Sequence, residues 1–198
     1  MPRPKQRDSA LKAQLLLAAK ELLATEGSTA VTARAVARAA GTSVPAVYEL
    51  FGAKEGVVRE LFFDGFGSLG QALETPQKGV GRPIDDLFEM LMRFRRFSLD
   101  NAEMTKLMFG RAFVEFELSS DELAAGTTVR NQFISRVEDC IADGSLGGNP
   151  VDIGHALLAL VQGLAAQESA GWLGSSAESV ERRWRVAVGA LLAGFRAD

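Results

Sequence analysis

Apolar residues in this chain return every three or four positions, and no stretch alternates apolar and polar residues long enough to make a β-strand. That periodicity leaves only helical folds. From Ser9 to Thr25, Leu11, Leu15, Ala18/Ala19, Leu22 and Leu23 form an amphipathic stripe, and Gly27 suits a left-handed C-cap. Thr32 caps a short helix over Ala33 to Ala39, and Gly41 breaks it. Ser43 caps a helix to about Leu50, and Gly52 ends that one before a longer helix near Ala53 and Lys54. Pro83 opens a helix reaching Leu99, and a short helix spans Ala102 to Phe109. Ser119 or Ser120 caps a long helix ending near Asp143, Pro150 opens another to about Gly171, and Ser175 or Ser176 caps the last. The expected fold is all-α, with nine or so helices.

The 198 residues, 47% of them apolar, supply ample material for a core. A single cysteine, Cys140, allows no intrachain disulfide and suggests a reducing, cytoplasmic compartment. Lys20 and Glu21 interrupt the run Leu15 to Ala19 before a signal peptide's apolar region could form, and the run Ala156 to Ala166 is too short to span a bilayer. No membrane partner is expected. Residues 1–60 carry nine Lys/Arg against six Asp/Glu, whereas the remainder carries 13 against 19. A mildly basic head therefore precedes an acidic body, which confines attraction for phosphate to one end.

Residues 32–54 have what a helix-turn-helix needs: two helices of about two turns joined at Ala40-Gly41-Thr42. Val36, Ala37 and Ala40 give an inward face of small side chains, Gly41 permits the tight turn, and Val47 and Phe51 hold the second helix against the first. The N-terminal residues of that second helix, Ser43, Val44, Pro45 and Ala46, should then meet base edges. All but Ser43 are apolar and suited to thymine methyls. Tyr48, the only tyrosine, should reach a phosphate, and Lys54 should add a charge-assisted phosphate contact beside the next helix's N-terminal amides. Arg34 can reach backbone or base.

The run Thr32-x-Arg34-x-Val36-Ala37, then Ala40-Gly41, then Val47-Tyr48-x-x-Phe51-x-x-Lys54-Glu55, resembles the TetR/AcrR family of one-component repressors. The resemblance covers about fifty residues. It implies a helix-turn-helix DNA-binding domain at 1–54, with its basic N-terminal arm, and a helical regulatory and dimerisation domain at 55–198. It further implies a homodimer, a double-stranded DNA operator and a small-molecule effector in the body. The candidate DNA-binding residues are Thr32, Arg34, Ser43, Val44, Pro45, Ala46, Tyr48 and Lys54. Val44 stands where the family commonly has a polar residue, and Leu50 where an aromatic or His is frequent, so operator preference does not carry over.

Several features imitate other chemistry. Gly65-Phe66-Gly67-Ser68-Leu69-Gly70 spells a dinucleotide-binding fingerprint but follows helix-forming residues, not a strand. It reads instead as a helix softened by glycine or packed closely through it. One histidine, His155, cannot build a multi-histidine metal site, and no metal or cofactor is expected. Cys140 is expected in the core, with oxidation sensing left open. No Ser-His-Asp arrangement or phosphate-binding loop is apparent, and the chain is read as a non-enzyme. Arg93, Arg95 and Arg96 are expected on a solvated face.

Four of five methionines and six of twelve phenylalanines fall between residues 88 and 116, a composition that suits an adaptable apolar pocket and an ordinary core alike. Candidate liners are Phe88, Met92, Met104, Met108, Phe113 and Phe133, with His155 or Gln162 as polar anchors. In the last two helices, Ile153, Leu157, Leu160, Val161 and Leu164, and Trp184, Val188, Leu191 and Phe195, form stripes expected at a dimer interface of four-helix type, or buried within one subunit. The functional reading is a repressor that binds a palindromic operator as a dimer and is released by a small apolar effector. The alternatives are a small-molecule-binding helical protein without operator-specific regulation and an all-α enzyme.

Overall fold

The structure, a computed structural model, describes residues 5–52, 54–74, 81–110 and 120–197. Among the described residues it is all-helical: α1 (Lys5–Glu26), a 3-10 turn (Ser28–Ala30), α2 (Ala33–Ala39), α3 (Val44–Phe51), α4 (Lys54–Leu73), α5 (Pro83–Asp100), α6 (Ala102–Phe109), α7 (Ser120–Ala142), α8 (Pro150–Ser169) and α9 (Ala177–Gly194). The chain divides into two compact units, one drawn from 1–65 with 103–118 and the other from 66–102 with 119–198. The first unit thus keeps the start of α4, beyond the boundary expected after residue 54. Val57, Val58 and Leu61 are buried in the same core as α1–α3, and that burial holds them there.

In the first unit, Leu15, Ala19 and Leu23 of α1 share a core with Val36 and Ala37 of α2, Val47 of α3 and Leu107 of α6. Gly27 adopts φ +80° with ψ 177°, a glycine-only region rather than the expected left-handed helical cap. Gly65 answers the question left by the glycine-rich run. A Cβ there would lie 2.7 Å from Met108 Sδ and 2.8 Å from Met104 Sδ, so its absence lets α4 and α6 approach. Gly67, by contrast, has nothing within 4 Å.

In the second unit α7 and α8 form the most extensive helix pair. Gly154 makes this possible, since a Cβ would fall 2.9 Å from Ile134 Cγ1. Asn149 caps α8 through Oδ1, accepting from Val151 N at 2.9 Å, and Pro150 follows where a missing N–H costs nothing. Ser176 caps α9 in the same way. Phe94 and Phe133 meet edge to face at 6.5 Å in the core.

The arginine cluster is not a solvated face throughout. Arg95 is buried, and it donates to both oxygens of Glu168 at 2.9 and 3.0 Å with Glu181 Oε2 at 3.9 Å and the Trp184 ring at 6.0 Å. Its place four residues after Leu91 puts it on the inward stripe of α5, where a guanidinium persists only if paired. The Glu168 hydrogen bonds and both carboxylates hold its pKa above the ordinary arginine value, against its own burial. Arg93 donates to the carbonyls of Glu74 at 2.9 Å and Leu73 at 3.5 Å, closing the C-terminal end of α4. Only Arg96 is exposed.

The stripes expected at the dimer interface are largely consumed inside the unit. Ile153, Leu157, Val161, Trp184 and Val188 are all buried within one chain, because the larger apolar side chains of α8 and α9 cover their own core. Leu160, Leu164, Leu191 and Phe195 remain partly exposed. Cys140 is fully buried, and burial, with Asp143, Asp139 and Asp86 adding to it, pushes its thiol up to about 12. Its burial makes it a packing residue of the second unit's core.

Candidate nucleic-acid interface

The geometry of α3 follows from the residues that bury it. Val47 is 0% exposed and Ala46 6%, while Val44, Leu50 and Phe51 pack against the same core from its margin. An α-helix advances 100° per residue, so positions two away from Val47 lie about 200° around the axis. Pro45 and Glu49 are accordingly exposed, and Tyr48, about 100° from Val47, is exposed beside them. The expected base-facing tip is corrected on one point: Ala46 faces the core, not solvent, and Val44 is half-buried beside it.

The loop before α3 adds exposed chemistry. Gly41 takes φ +64°, and Thr42 N closes on Ala37 O at 2.9 Å, while Gln14 Nε2 donates to Ala40 O at 2.9 Å and ties the turn to α1. Thr32 caps α2 as expected, its Oγ1 accepting from Ala35 N at 3.1 Å. Ser43 occupies the N-cap position of α3 without a side-chain cap bond. Pro45 has no N–H to offer it, and Ala46 N bonds the Ser43 carbonyl at 3.1 Å instead. The Ser43 hydroxyl is therefore exposed and uncommitted among the described residues, as is the Tyr48 hydroxyl on a side chain 49% exposed.

Two lysines of α1 are spent on α4. Lys12 pairs with Glu60 and sits 5.7 Å above the Phe51 ring, and Lys20 pairs with Asp64 at 2.6 Å. Arg34 and Arg38 on α2 are exposed and make no ion pair among the described residues. The side chains of Lys54 and of the basic arm lie outside the described residues.

The expected effector residues fall in both units. Met104 and Met108 pack against Gly65 in the first unit, while Met92 and Phe133 are buried in the second. Phe88 is half-buried under Arg185 at 5.7 Å, and Gln162 is half-buried. His155 is exposed, its Nδ1 2.9 Å from Val151 O, and Phe113 lies outside the described residues. Two surface depressions of the second unit, of about 460 Å³ at Glu178, Glu181, Arg182, Arg185 and Val186 and about 520 Å³ at Pro83, Asp86, Arg136 and Asp143, include none of the expected liners. Among the described residues no group of acidic, His or Cys side chains could hold a metal, and no helix is long and apolar enough to cross a membrane.

Residues 15–61 match the family model for bacterial regulatory proteins of the tetR family, and residues 87–191 match that for the tetracyclin repressor-like C-terminal domain. No curated protein matches the sequence. Among solved structures, a protein of unknown function from Rhodococcus sp. RHA1 is similar at TM-score 0.81, with 23% identity, 93% of this chain and 95% of that one covered. A regulatory protein of the tetR family from Rhodococcus RHA1 is similar at TM-score 0.71, with 18% identity over 95% and 98% of the two chains. A TetR variant from Acinetobacter baumannii AYE, in complex with minocycline, is similar at TM-score 0.67, with 18% identity over 92% and 94%. These likenesses show a shared fold.

Proposed function

Because this chain belongs to the TetR family of bacterial regulatory proteins, whose helix-turn-helix members bind DNA to regulate transcription, we propose that it is a repressor acting by occupancy of a palindromic operator. The observation that carries the reading is the division of labour on the first unit. Val47 and Ala46 lock α3 into the core, while the hydroxyls of Ser43 and Tyr48 and the guanidinium groups of Arg34 and Arg38 stay exposed, with no partner among the described residues. Such groups bind phosphate and groove edges, and the paired lysines of α1 do not compete. Thr32 serves by capping α2, and Lys54 adds to phosphate binding from the start of α4.

Two copies would place two such helices in successive major grooves, about 34–36 Å apart. The pairing surface we propose is the exposed face of α8 and α9: Ala159, Gly163 and Ala166 on one helix, Val186 and Ala190 on the other, with Leu160, Leu164, Leu191 and Phe195 at the flanks. Small side chains let helices from two chains approach closely. A small apolar effector in the Met- and Phe-rich body would favour a head spacing that no longer matches the operator, and the population would leave DNA. The minocycline complex of the Acinetobacter protein supports a chain of this fold as a small-molecule host. The chain would act in the cytoplasm, without catalytic activity.

The test is a gel shift on DNA upstream of the chain's own reading frame across a salt series. Affinity should fall steeply with salt. Arg34→Ala should lower the slope by about one per protomer, and Tyr48→Phe should weaken binding without changing helical content. Retardation that is absent at low salt, or blind to both substitutions, would refute the reading.

A further inference from the structure

Glu49 is the only ionisable group besides Tyr48 on α3, and it points the same way as Pro45, away from the buried Val47. An exposed carboxylate on a surface that meets a polyanion needs an explanation, since phosphates repel it. The exposed arginines Arg34 and Arg38, which make no ion pair among the described residues, sit on α2. Attraction for the backbone thus comes from the preceding helix and leaves α3 to face the groove. There a carboxylate, which only accepts hydrogen bonds, finds few partners. Guanine offers N7 and O6 and thymine O4, all acceptors that repel it. Adenine offers an amino group, but beside the acceptor N7. Cytosine alone offers N4–H₂ with no acceptor on its own major-groove edge.

We infer that Glu49 reads the N4 amino group of a cytosine in each operator half-site, and so sets specificity at one base pair. The inference rests on the DNA-binding reading above and extends it. A protein partner for Glu49 does not remove the capacity, because an ionised carboxylate has about four lone-pair sites. The flanking side chains sharpen the assignment. Pro45 cannot hydrogen-bond a base at all, and the Ser43 and Tyr48 hydroxyls both donate and accept, so neither discriminates among bases as strictly as an acceptor-only group.

The experiment is selection of bound duplexes from a random pool by the full chain, by Glu49→Gln and by Glu49→Ala, followed by affinity measurement on the wild-type site. The wild type should require C·G at one position of each half-site. Glu49→Gln should move that position toward A·T, since glutamine pairs with adenine N6 and N7, and Glu49→Ala should lose preference there alone. Replacing the cytosine by thymine should cost the wild type about tenfold or more and Glu49→Ala less than about twofold. Identical base preferences in all three proteins would overturn the inference while leaving DNA binding intact. A wild type that enriches no sequence would overturn both.

Discussion

Glu168→Ala would leave Arg95 with its charge and most of its burial but without its principal partner. The pair is closed by two hydrogen bonds at 2.9 and 3.0 Å, with side chains only 10% and 13% exposed. Removing one member of a buried pair typically costs about 3–5 kcal/mol, because the other charge stays desolvated. Glu181, at 3.9 Å, retains part of the attraction, and the Trp184 ring at 6.0 Å a little more. The loss should therefore fall near the lower bound, about 3 kcal/mol, or a drop in Tm of roughly 6–12 °C for a chain of this length. Urea unfolding at fixed protomer concentration measures it directly. The pairing argument makes a second demand: Arg95→Met with Glu168→Leu should recover most of the loss, since an apolar pair of similar volume needs no compensation. A single-variant loss below about 0.5 kcal/mol would equate the pair with an exposed one and refute the reasoning.

Other consequences are as concrete. Gly67→Ala in α4, where nothing lies within 4 Å, should stabilise the chain by up to about 1 kcal/mol. Gly56→Ala should destabilise it, because its Cβ would collide with the Phe51 carbonyl oxygen; thermal melts should give opposite signs. Cys140 should resist iodoacetamide in the native chain at pH 8 and react fully in denaturant; stoichiometric native labelling would contradict its burial. Between its ordinary value of 9.0 and about 12, the unfolded thiol ionises while the buried one stays protonated, so stability should fall as pH rises through that window, and Cys140→Ala should remove this contribution. Val186→Arg, at a side chain 64% exposed, should yield a monomer by sedimentation with the fold retained; an unchanged dimer would displace the proposed pairing face.

Local signals made the helices legible. Thr32, Pro83, Pro150 and Ser176 act on backbone groups a few residues away, so the ends they set could be read without knowing what lay opposite. The helix-turn-helix was legible because Gly41, the small residues of α2 and the Val47/Phe51 pair specify a local crossing. What a sequence stripe does not give is the identity of the surface it covers. Trp184 and Val188 look the same whether they meet another chain or their own α5, and only packing decides. Arg95 shows the same limit, since the partner that lets it be buried, Glu168, lies 73 residues away. Ala46 is a case of the same kind: it lies about 100° from Val47, as the exposed Tyr48 does on the other side, and only packing decides which of the two turns inward.

Hydroxyl-radical footprinting of the upstream DNA tests the central claim most directly, that paired copies present α3 to the major groove. The account predicts two protected patches on one face of the duplex, related by dyad symmetry and centred one helical turn apart or a multiple of it, and both requiring more protein with Arg34→Ala. Protection that is uniform, unsymmetrical or reached at the same protein concentration with Arg34→Ala would contradict it.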